Sequence, residues 1–357
     1  MEKASRVNWK KLENFLKNVF TAYGFRAEEA AIITDVLLTS DLYGIESHGS
    51  QRLEMYRGQM KKGWIDTKAQ PQVVFESPIA ATIDGQKAMG QLVAHEAMKL
   101  AITKAKKTGI GMVSVRNSNH YGIASYYSKM ALKEGLIGVS MTNSLPVVVP
   151  TYGREPMMGT NPIAVSIPAY PLDFTYDCAT SVVSFGKVEI KHKEGKEAPL
   201  GWAINQEGRD ETHPATILEE SLAGKAGLYP LGGSSQEFGS HKGFGLSLLV
   251  EFLTAGLSQG LTSNHNGQGL SGTCHYFMAL DPAAFGDAES VKQGWSRYLE
   301  EIRQSAKAYG QDRIYIHGEK EAEKLADRLE HGVHVLPKTL EEMKSLAEEL
   351  DIACDLL

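Results

Sequence analysis

Short runs of β-branched residues alternate with helical patterns through the middle of this chain, and this alternation constrains the fold most. The runs are bounded by Gly, Pro or Asn and read VVFESP, ATIDG, GMVSVRN, LIGVSMTN, PIAVSIP and DFTYDC. Runs of this length and composition are typical of strands. Helical patterns lie between or after them, over 91–107, 123–133 and 242–257. The middle of the chain is therefore predicted to have an α/β (α+β) architecture.

Both ends of the chain show helical periodicity instead. Apolar residues recur at helical spacing from Trp9 to Phe20 behind Asn8, a predicted N-cap. Further helices are predicted near 30–37 and from Ser50 to Met60. From about Ala288 the chain becomes helical and charged again, ending in TLEEMKSLAEEL. Helical ends around an α/β middle indicate that the two ends share one domain.

Composition and charge exclude several classes of protein. The 357 residues include 43 acidic and 37 basic ones, with a net charge of −6, which argues against a dedicated binder of nucleic acid or anionic membranes. Cys178, Cys274 and Cys354 are too widely separated for a disulfide framework, and no zinc-ligand spacing occurs. No apolar run approaches the ~20 residues of a membrane-spanning helix, and no signal peptide is recognised. We expect a soluble, cytoplasmic protein without a metal.

One glycine motif resembles a dinucleotide fingerprint but stands in the wrong context. Gly267, Gly269 and Gly272 have G-x-G-x-x-G spacing. The fingerprint requires a strand before it and a helix after it. Here the polar run LTSNHN precedes it and the strand-like run CHYFMALD follows. We interpret the motif as a loop, so any nucleotide is expected to bind outside the Rossmann plan.

The segment GIESHGSQRLEMY carries the first candidate site. If a helix begins near His48, then His48, Arg52 and Tyr56 lie four residues apart on one face. An imidazole that exchanges a proton, beside a guanidinium that grips a carboxylate, suits a 2-hydroxy or 2-oxo acid. The alternative is a capping serine beside a surface histidine and a solvated arginine.

A second candidate, Asn117 to Gly122, follows the predicted strand GMVSV and precedes a helix. Side chains at the carboxyl ends of strands face the crevice in which α/β proteins bind ligands, so His120 is a candidate site residue. The alternative is an Asn/Ser turn that caps the next helix.

Three further segments are weaker candidates. Gly159 to Pro162, preceded by Asn143 and Ser144, has a purely structural loop as its strong alternative. In the run after Asp177, Thr180 or Ser181 would cap a helix whose N-terminal amides could receive a phosphate. The glycines around Lys242 could cradle a pyrophosphate, or Lys242 could simply be solvated.

Besides proton transfer to or from a 2-hydroxy or 2-oxo acid, two other classes of function remain open from the residues alone. A hydrolase could use Ser47 and His48, but adjacent side chains on a helix do not face one another, and no G-x-S-x-G elbow occurs. A non-catalytic nucleotide-binding protein would bind a nicotinamide cofactor without turning over any substrate.

Several blocks together carry a specific resemblance. They are ESHGSQRLEMY, NSNHYG, NSLPVVVP, GTNPIAVSIP, DCATS, PLGG, SHKGFGLSLLVEFL and HGE. In this order they resemble the malate/L-lactate dehydrogenase family, over roughly residues 8 to 335. That family lacks the Rossmann fold and also holds ureidoglycolate, sulfolactate and diketogulonate oxidoreductases.

The resemblance implies a homodimer that binds NAD, or possibly NADP, on an unusual mixed sheet. It implies hydride transfer between this cofactor and a small 2-oxo or 2-hydroxy acid of the malate or lactate type, with ureidoglycolate as an alternative. The expected regions are an N-terminal helical region (1–75), a mixed α/β cofactor-binding and catalytic region (76–287), and a C-terminal helical region (288–357) packing with the N-terminal part.

The resemblance also assigns roles to residues. His48 matches the proton donor, Ser47 its neighbour, and His120 a second histidine that some members are thought to use as the base. The implied substrate-binding residues are Arg52, which would anchor the carboxylate, with Tyr56 and Thr160. The implied cofactor-binding residues are Ser144, Asp177, Cys178, Ala179, Thr180, Ser181, Val182, Val183, His241, Lys242, Gly318, Glu319 and Lys320, with His275 and Phe277 as weaker matches.

Two positions depart from the family's usual pattern. Pro150 to Gly153 stands where a Gly-Gly pair is frequent, and His317 stands where a proline is frequent. Both fall near the expected pocket and so bear on specificity more than on reaction type.

Overall fold

The computed structural model describes residues 5–267 and 272–356. The helices of these residues are α1 (Trp9–Ala22), α2 (Ala27–Leu42), α3 (Leu53–Lys61), α4 (Gly90–Thr108), α5 (Ala124–Leu132), α6 (Phe185–Lys193), α7 (Pro214–Leu222), α8 (Ser240–Glu251), α9 (Ala288–Gln304), α10 (Glu319–His331) and α11 (Pro337–Leu350). The strands are β1 (Ser5–Val7), β2 (Gln72–Glu76), β3 (Ala80–Asp84), β4 (Ile110–Ser118), β5 (Ile137–Thr142), β6 (Ile163–Ile167), β7 (Phe174–Cys178), β8 (Ala203–Ile204), β9 (Asp210–Glu211), β10 (Gly227–Leu228), β11 (Thr273–Leu280) and β12 (Val333–Val335).

A seven-stranded sheet forms the centre of the molecule. Its strand order is β2-β3-β4-β11-β5-β6-β7. Only β3 and β4 run parallel, and every other neighbouring pair is antiparallel. A Rossmann domain is built on a mostly parallel sheet. The predicted α/β fold with a mixed, non-Rossmann sheet is therefore confirmed.

Helices α4 and α5 cover the sheet because each presents an apolar face to it. Ala94, Ala97 and Ala101 of α4 are fully buried and belong to one core cluster with Val113 of β4 and Phe277 of β11. Small alanine side chains let a helix approach a sheet closely, and buried apolar area stabilises this contact at about 25 cal/mol per Å². This packing fixes the end of β4, after which His120 follows.

A second apolar core joins the two ends of the chain. Leu12 and Leu16 of α1 cluster with Leu340 and Leu346 of α11, and β1 pairs with β12 in antiparallel register. This supports the proposal that the C-terminal region packs with the N-terminal part. Helix α9 has no fully buried side chain, so the contact rests on α10, β12 and α11. Since β2 begins at Gln72, the central sheet starts slightly before the proposed boundary at residue 76.

The helix predicted from Ser50 is wrong at its start. Two 3₁₀ turns, Glu46–His48 and Ser50–Arg52, precede α3, which begins at Leu53. The buried carboxylate of Asp41 accepts a hydrogen bond from the Ser50 amide at 2.9 Å. Because this bond holds the chain at the junction of the two turns, a continuous helix from His48 to Tyr56 does not form.

The G-x-G-x-x-G motif lies partly outside the described residues, since Gly269 is not among them. Its described neighbours agree with a loop, because β11 begins at Thr273 and no helix follows the motif. The β-branched and aromatic residues of DRIYIH (312–317) favour a strand from sequence, but no strand forms there.

Within residues 5–267 and 272–356, no helix combines the length and apolarity needed to cross a membrane. The same residues contain no group of three His, Cys, Asp or Glu side chains arranged to hold a metal ion.

The shared core of the two chain ends predicts the effect of one substitution. Leu346 is 1% exposed. Leu346→Ala should lower the free energy of unfolding by about 2–5 kcal/mol, because it leaves a cavity between α11 and the N-terminal helices. Urea unfolding followed by circular dichroism measures this, with Lys344→Ala, an exposed position on the same helix, as control. Equal stability of the two variants would contradict the shared core.

Candidate active site

Three segments that are far apart in sequence line one cavity of ≈ 150 Å³, here called the inner cavity. His48 and Arg52 come from the 3₁₀ turns before α3, and His120 comes from the loop after β4. Ser144 and Thr160 come from the loops after β5 and before β6. The structure therefore brings together both predicted histidines, the predicted carboxylate anchor and two more predicted site residues.

The two histidine rings lie side by side at the wall of the inner cavity. Their centroids are 5.6 Å apart, with the ring planes inclined by 28°. Ser47 Oγ lies 2.8 Å from His48 Nδ1, and Tyr56 Oη lies 2.7 Å from His120 Nδ1. Each ring is thus held at its Nδ1 by a hydroxyl group, which leaves Nε2 as the atom available to a ligand.

The contact between Ser47 and His48 corrects one argument from sequence. The two side chains meet because they lie in a 3₁₀ turn, whereas the argument assumed an α-helix. A hydrolase would nevertheless need a carboxylate on the other ring nitrogen to orient the base. Among the described residues none bonds to His48 in this way. The geometry therefore does not favour a hydrolase.

Arg52 is held rigidly at the base of the inner cavity. Its Nε donates to the Ser47 carbonyl at 2.6 Å, and its Nη2 lies 2.8 Å from Glu189 Oε2 on α6. Helix α6 approaches this closely only because Gly186 has no side chain, since a Cβ there would overlap Arg52 Nη2. These contacts occupy one edge of the guanidinium. The end formed by Nη1 and Nη2 can still receive a carboxylate as a bidentate pair.

Burial sets the charge of both histidines. Burial, then the positive charges of Arg52 and Lys187, lower the pKa of His48 to about 3. Burial lowers the pKa of His120 well below its usual value, with smaller contributions from His48, Arg52 and His275. Both rings are therefore neutral at physiological pH while the cavity holds no anion. A neutral imidazole can accept a proton.

The turn that carries His48 is fixed from both sides. Asp41 holds the Ser50 amide, and burial raises the pKa of Asp41 to about 7. Arg328 of α10 donates to the Asp41 carbonyl and pairs with Glu46. The C-terminal part of the chain thereby contacts the turn directly.

Glu251, the last residue of α8, fixes the opposite wall. Its buried carboxylate accepts hydrogen bonds from Asn161 Nδ2 at 2.8 Å, from Asn143 Nδ2 at 3.3 Å and from Ser263. The α-helix gives way to a π-helical turn, Phe252–Gly256, directly after it. The predicted helix over 242–257 therefore changes type at this carboxylate. Glu251 was not predicted as a site residue, although a carboxylate within an apolar helical run was a visible signal.

A wider cleft of ≈ 560 Å³ adjoins the inner cavity and shares His48, Thr160 and Ser184 with it. A third space of ≈ 180 Å³, here called the outer pocket, shares Lys320 with the cleft. The predicted cofactor residues that line the cleft or the outer pocket are Asp177, Cys178, Ala179, Ser181, Val182, Val183, Gly318 and Lys320. The three spaces form one path from the histidines to Gly318.

The helix cap predicted at Thr180 or Ser181 does not form. Thr180 lies too far from α6, which begins at Phe185, and its hydroxyl donates to the carbonyls of Thr160 and Asn161. Ser181 donates to the Val183 carbonyl, and the residue at the N-cap position of α6 is Ser184. Both alternatives for that cap were therefore wrong.

Four more predicted residues do not line the three spaces. Tyr56 is fully buried behind His120, and His275 bonds to Thr142 and Ser118 beneath the site. The buried Phe277 lies two residues further along β11. Glu319 pairs with Arg303 and Arg313.

His241 and Lys242 are exposed at the start of α8. They lie outside the three spaces, although the loop against which α8 packs contributes Leu231 to the cleft.

Comparisons with known proteins identify the fold and the family. Residues 7–344 match the sequence profile of the malate/L-lactate dehydrogenase family. Malate dehydrogenase from Pyrococcus horikoshii is 45% identical over 350 residues, covering 97% of this chain and 96% of that protein. Malate/(S)-sulfolactate dehydrogenase from Methanothermus fervidus is 35% identical, covering 94% and 95%.

A solved structure agrees with these sequences. Malate dehydrogenase from Entamoeba histolytica superposes with a TM-score of 0.95 at 36% identity, covering 99% of this chain and 100% of that one. The chain belongs to the malate/L-lactate dehydrogenase family and is a hydroxyacid dehydrogenase.

Proposed function

We propose that the chain transfers a hydride between NAD(H) and a small 2-oxo or 2-hydroxy acid of the malate or lactate type, with NADP(H) as a possible cofactor. The observation that carries the proposal is the convergence of His48, His120 and Arg52 on one cavity. Ureidoglycolate or another 2-hydroxy acid is the alternative substrate, since each carries the same carboxylate beside the reacting carbon.

The residues along the cleft fit a nicotinamide dinucleotide. The path is extended, as such a cofactor requires, and Lys187, Lys320 and Lys324 give it cationic groups suited to a pyrophosphate. The Ser184 hydroxyl stands where the inner cavity meets the cleft, and it is buried without a partner among the described residues. An unpaired buried hydroxyl costs about 1–3 kcal/mol, which a polar ligand group would recover. A bound, reduced nicotinamide would supply the hydride.

Arg52 would hold the substrate. Because Ser47 and Glu189 fix its guanidinium, the substrate carboxylate meets an anchor that is already oriented. A bidentate pair fixes both the position and the angle of the carboxylate, and so would hold the adjacent carbon in the cavity that His48 and His120 also line. Thr160 and Ser144 line the same cavity as further polar contacts.

The histidines would accept the proton of the substrate hydroxyl during oxidation and return it during reduction. In the oxidative direction a neutral imidazole accepts the proton of the substrate hydroxyl through Nε2. In the reductive direction the ring must first be protonated. A carboxylate on Arg52 offsets one of the charges that depress the pKa of His48, so substrate binding favours this protonation.

An exposed apolar stripe supports the proposed homodimer. Leu246, Leu249, Phe252 and Leu257 follow one another along α8 and the π-helical turn, each between 37% and 65% exposed. Contiguous apolar surface of this kind is typical of subunit interfaces.

The division of the chain into regions at residues 75 and 287 remains a proposal, and the cytoplasmic location remains a prediction.

Steady-state assays with two cofactors test the proposed function. Oxaloacetate, pyruvate and other 2-oxo acids are each mixed with NADH and with NADPH, and the loss of reduced-nicotinamide absorbance is followed. We expect turnover of at least one acid, because the site holds both a carboxylate anchor and proton-exchanging groups. The absence of turnover with every acid and both cofactors would contradict the proposal.

The role of Arg52 predicts a selective defect. Arg52→Lys should raise KM for the 2-oxo acid about tenfold or more while changing kcat less, because lysine lacks the planar fork. Arg57→Lys is the matched control, since Arg57 lies on α3 and pairs with Glu54 and Glu349 outside the inner cavity. An unchanged KM in Arg52→Lys would show that the carboxylate is bound elsewhere.

A further inference from the structure

A buried glutamine stands behind His120 at the end of a chain of hydrogen bonds. Gln91, the second residue of α4, is 0% exposed, as is Tyr56. Its Nε2 lies 2.6 Å from Tyr56 Oη, which in turn lies 2.7 Å from His120 Nδ1. Gln91 contacts neither the inner cavity nor the cleft, and no motif predicted a role for it.

The orientation of the Gln91 amide follows from what surrounds it. Its Oε1 is buried without a partner among the described residues. In this orientation Oε1 and one N–H of the amide have no partner among the described residues, whereas an amide turned over would leave both N–H donors unpaired. Buried unpaired donors are costly, so the amide directs its N–H towards Tyr56.

This orientation determines where the protons of the chain lie. Tyr56 Oη accepts a hydrogen bond from Gln91, so its own hydroxyl proton is directed to the remaining partner, His120 Nδ1. His120 Nδ1 is then an acceptor, and in the neutral ring the proton must sit on Nε2. Burial lowers the pKa of His120 well below its usual value, which keeps the ring neutral.

The packing of α4 keeps the chain of hydrogen bonds in place. Gly90 precedes Gln91, and a Cβ at this position would overlap the carbonyl oxygens of Asn119 and His120. Asn119 Nδ2 donates to the carbonyls of Lys87 and Ala88 just before the helix. The start of α4 and the His120 loop therefore form one rigid unit.

We propose that Gln91 is a positioning residue that acts through Tyr56 to hold His120 as its Nε2–H tautomer. His120 then presents an N–H donor to the substrate oxygen and polarises it. His48 differs because its Nδ1 partner is the Ser47 hydroxyl, which can either donate or accept, so its Nε2 can give up and take up a proton. The assignment of polarisation to His120 and of proton exchange to His48 rests on the proposed function, whereas the tautomer of His120 does not.

Two substitutions at Gln91 separate this role from simple packing. Gln91→Met fills a similar volume but removes the donor. Gln91→Glu in its ionised form supplies an acceptor instead, so Tyr56 donates to the carboxylate, His120 Nδ1–H donates to Tyr56, and the tautomer reverses. Thr34→Val is the control, since Thr34 is equally buried on α2 with its hydroxyl unpaired among the described residues.

The tautomers are read by long-range ¹H–¹⁵N NMR on protein with ¹⁵N-labelled histidine, with His120 assigned from the signal lost in His120→Gln. We expect the Nε2–H pattern in wild type and Thr34→Val, a mixture in Gln91→Met and the Nδ1–H pattern in Gln91→Glu. For both Gln91 variants, kcat should fall about tenfold or more with little change in KM for the cofactor. Thermal unfolding identifies any variant that is merely unfolded.

Two results would overturn the proposal. One is an Nδ1–H pattern for His120 in the wild type. The other is an unchanged tautomer in both folded Gln91 variants. Because the NMR measurement needs no substrate, its test of the His120 tautomer does not depend on the outcome of the cofactor and substrate assays.

Discussion

The burial of two imidazole rings beside one guanidinium is the interaction on which the rest of the site depends. An uncompensated buried charge is costly, and the three groups would repel one another if all were charged. The carboxylate of Glu189 balances the positive charge of Arg52, whereas the lowered pKa values of both histidines keep their rings neutral. Neutral imidazoles can accept a proton, and under the proposed function a substrate carboxylate on Arg52 would favour the protonation of His48.

Such a cluster persists only if the surrounding chain holds it. Asp41 and Arg328 fix the turn that carries His48, and Glu251 fixes the loops of Asn143 and Asn161 on the opposite wall. Asn161 adopts a positive φ of 39°, a backbone conformation that its bonds to Glu251 and Ser247 stabilise. The buried carboxylates thus act on substrate only through the loops that they position.

The strands of the central sheet and several residues of the candidate site could be predicted from sequence, because they depend on local patterns. Strand-like runs between Gly, Pro and Asn predicted the β-strands of the central sheet, and the blocks around His48 and His120 predicted residues that line the inner cavity. The contributions of Gln91 and Glu189 could not be predicted, because each contacts a residue distant in sequence. For Glu251 the carboxylate within an apolar run was visible in the sequence, but its partners Asn143 and Asn161 were not. The errors have the same origin. The helix expected from Ser50 does not form where the Ser50 amide donates to the distant carboxylate of Asp41, and the hydroxyl of Thr180 donates to a neighbouring loop while α6 begins only at Phe185.

The most direct test of neutral, buried histidines is the pH dependence of kcat/KM in both directions. The pKa of His48 is lowered from 6.5 to about 3, so the free enzyme holds it neutral between about pH 6 and pH 9. Oxidation needs this neutral base and should be independent of pH in that range. Reduction needs the rare protonated form and should fall about tenfold for each unit of rising pH. A histidine with an ordinary pKa would instead make oxidation decline, and reduction level off, below about pH 6.5. That pattern would contradict the account.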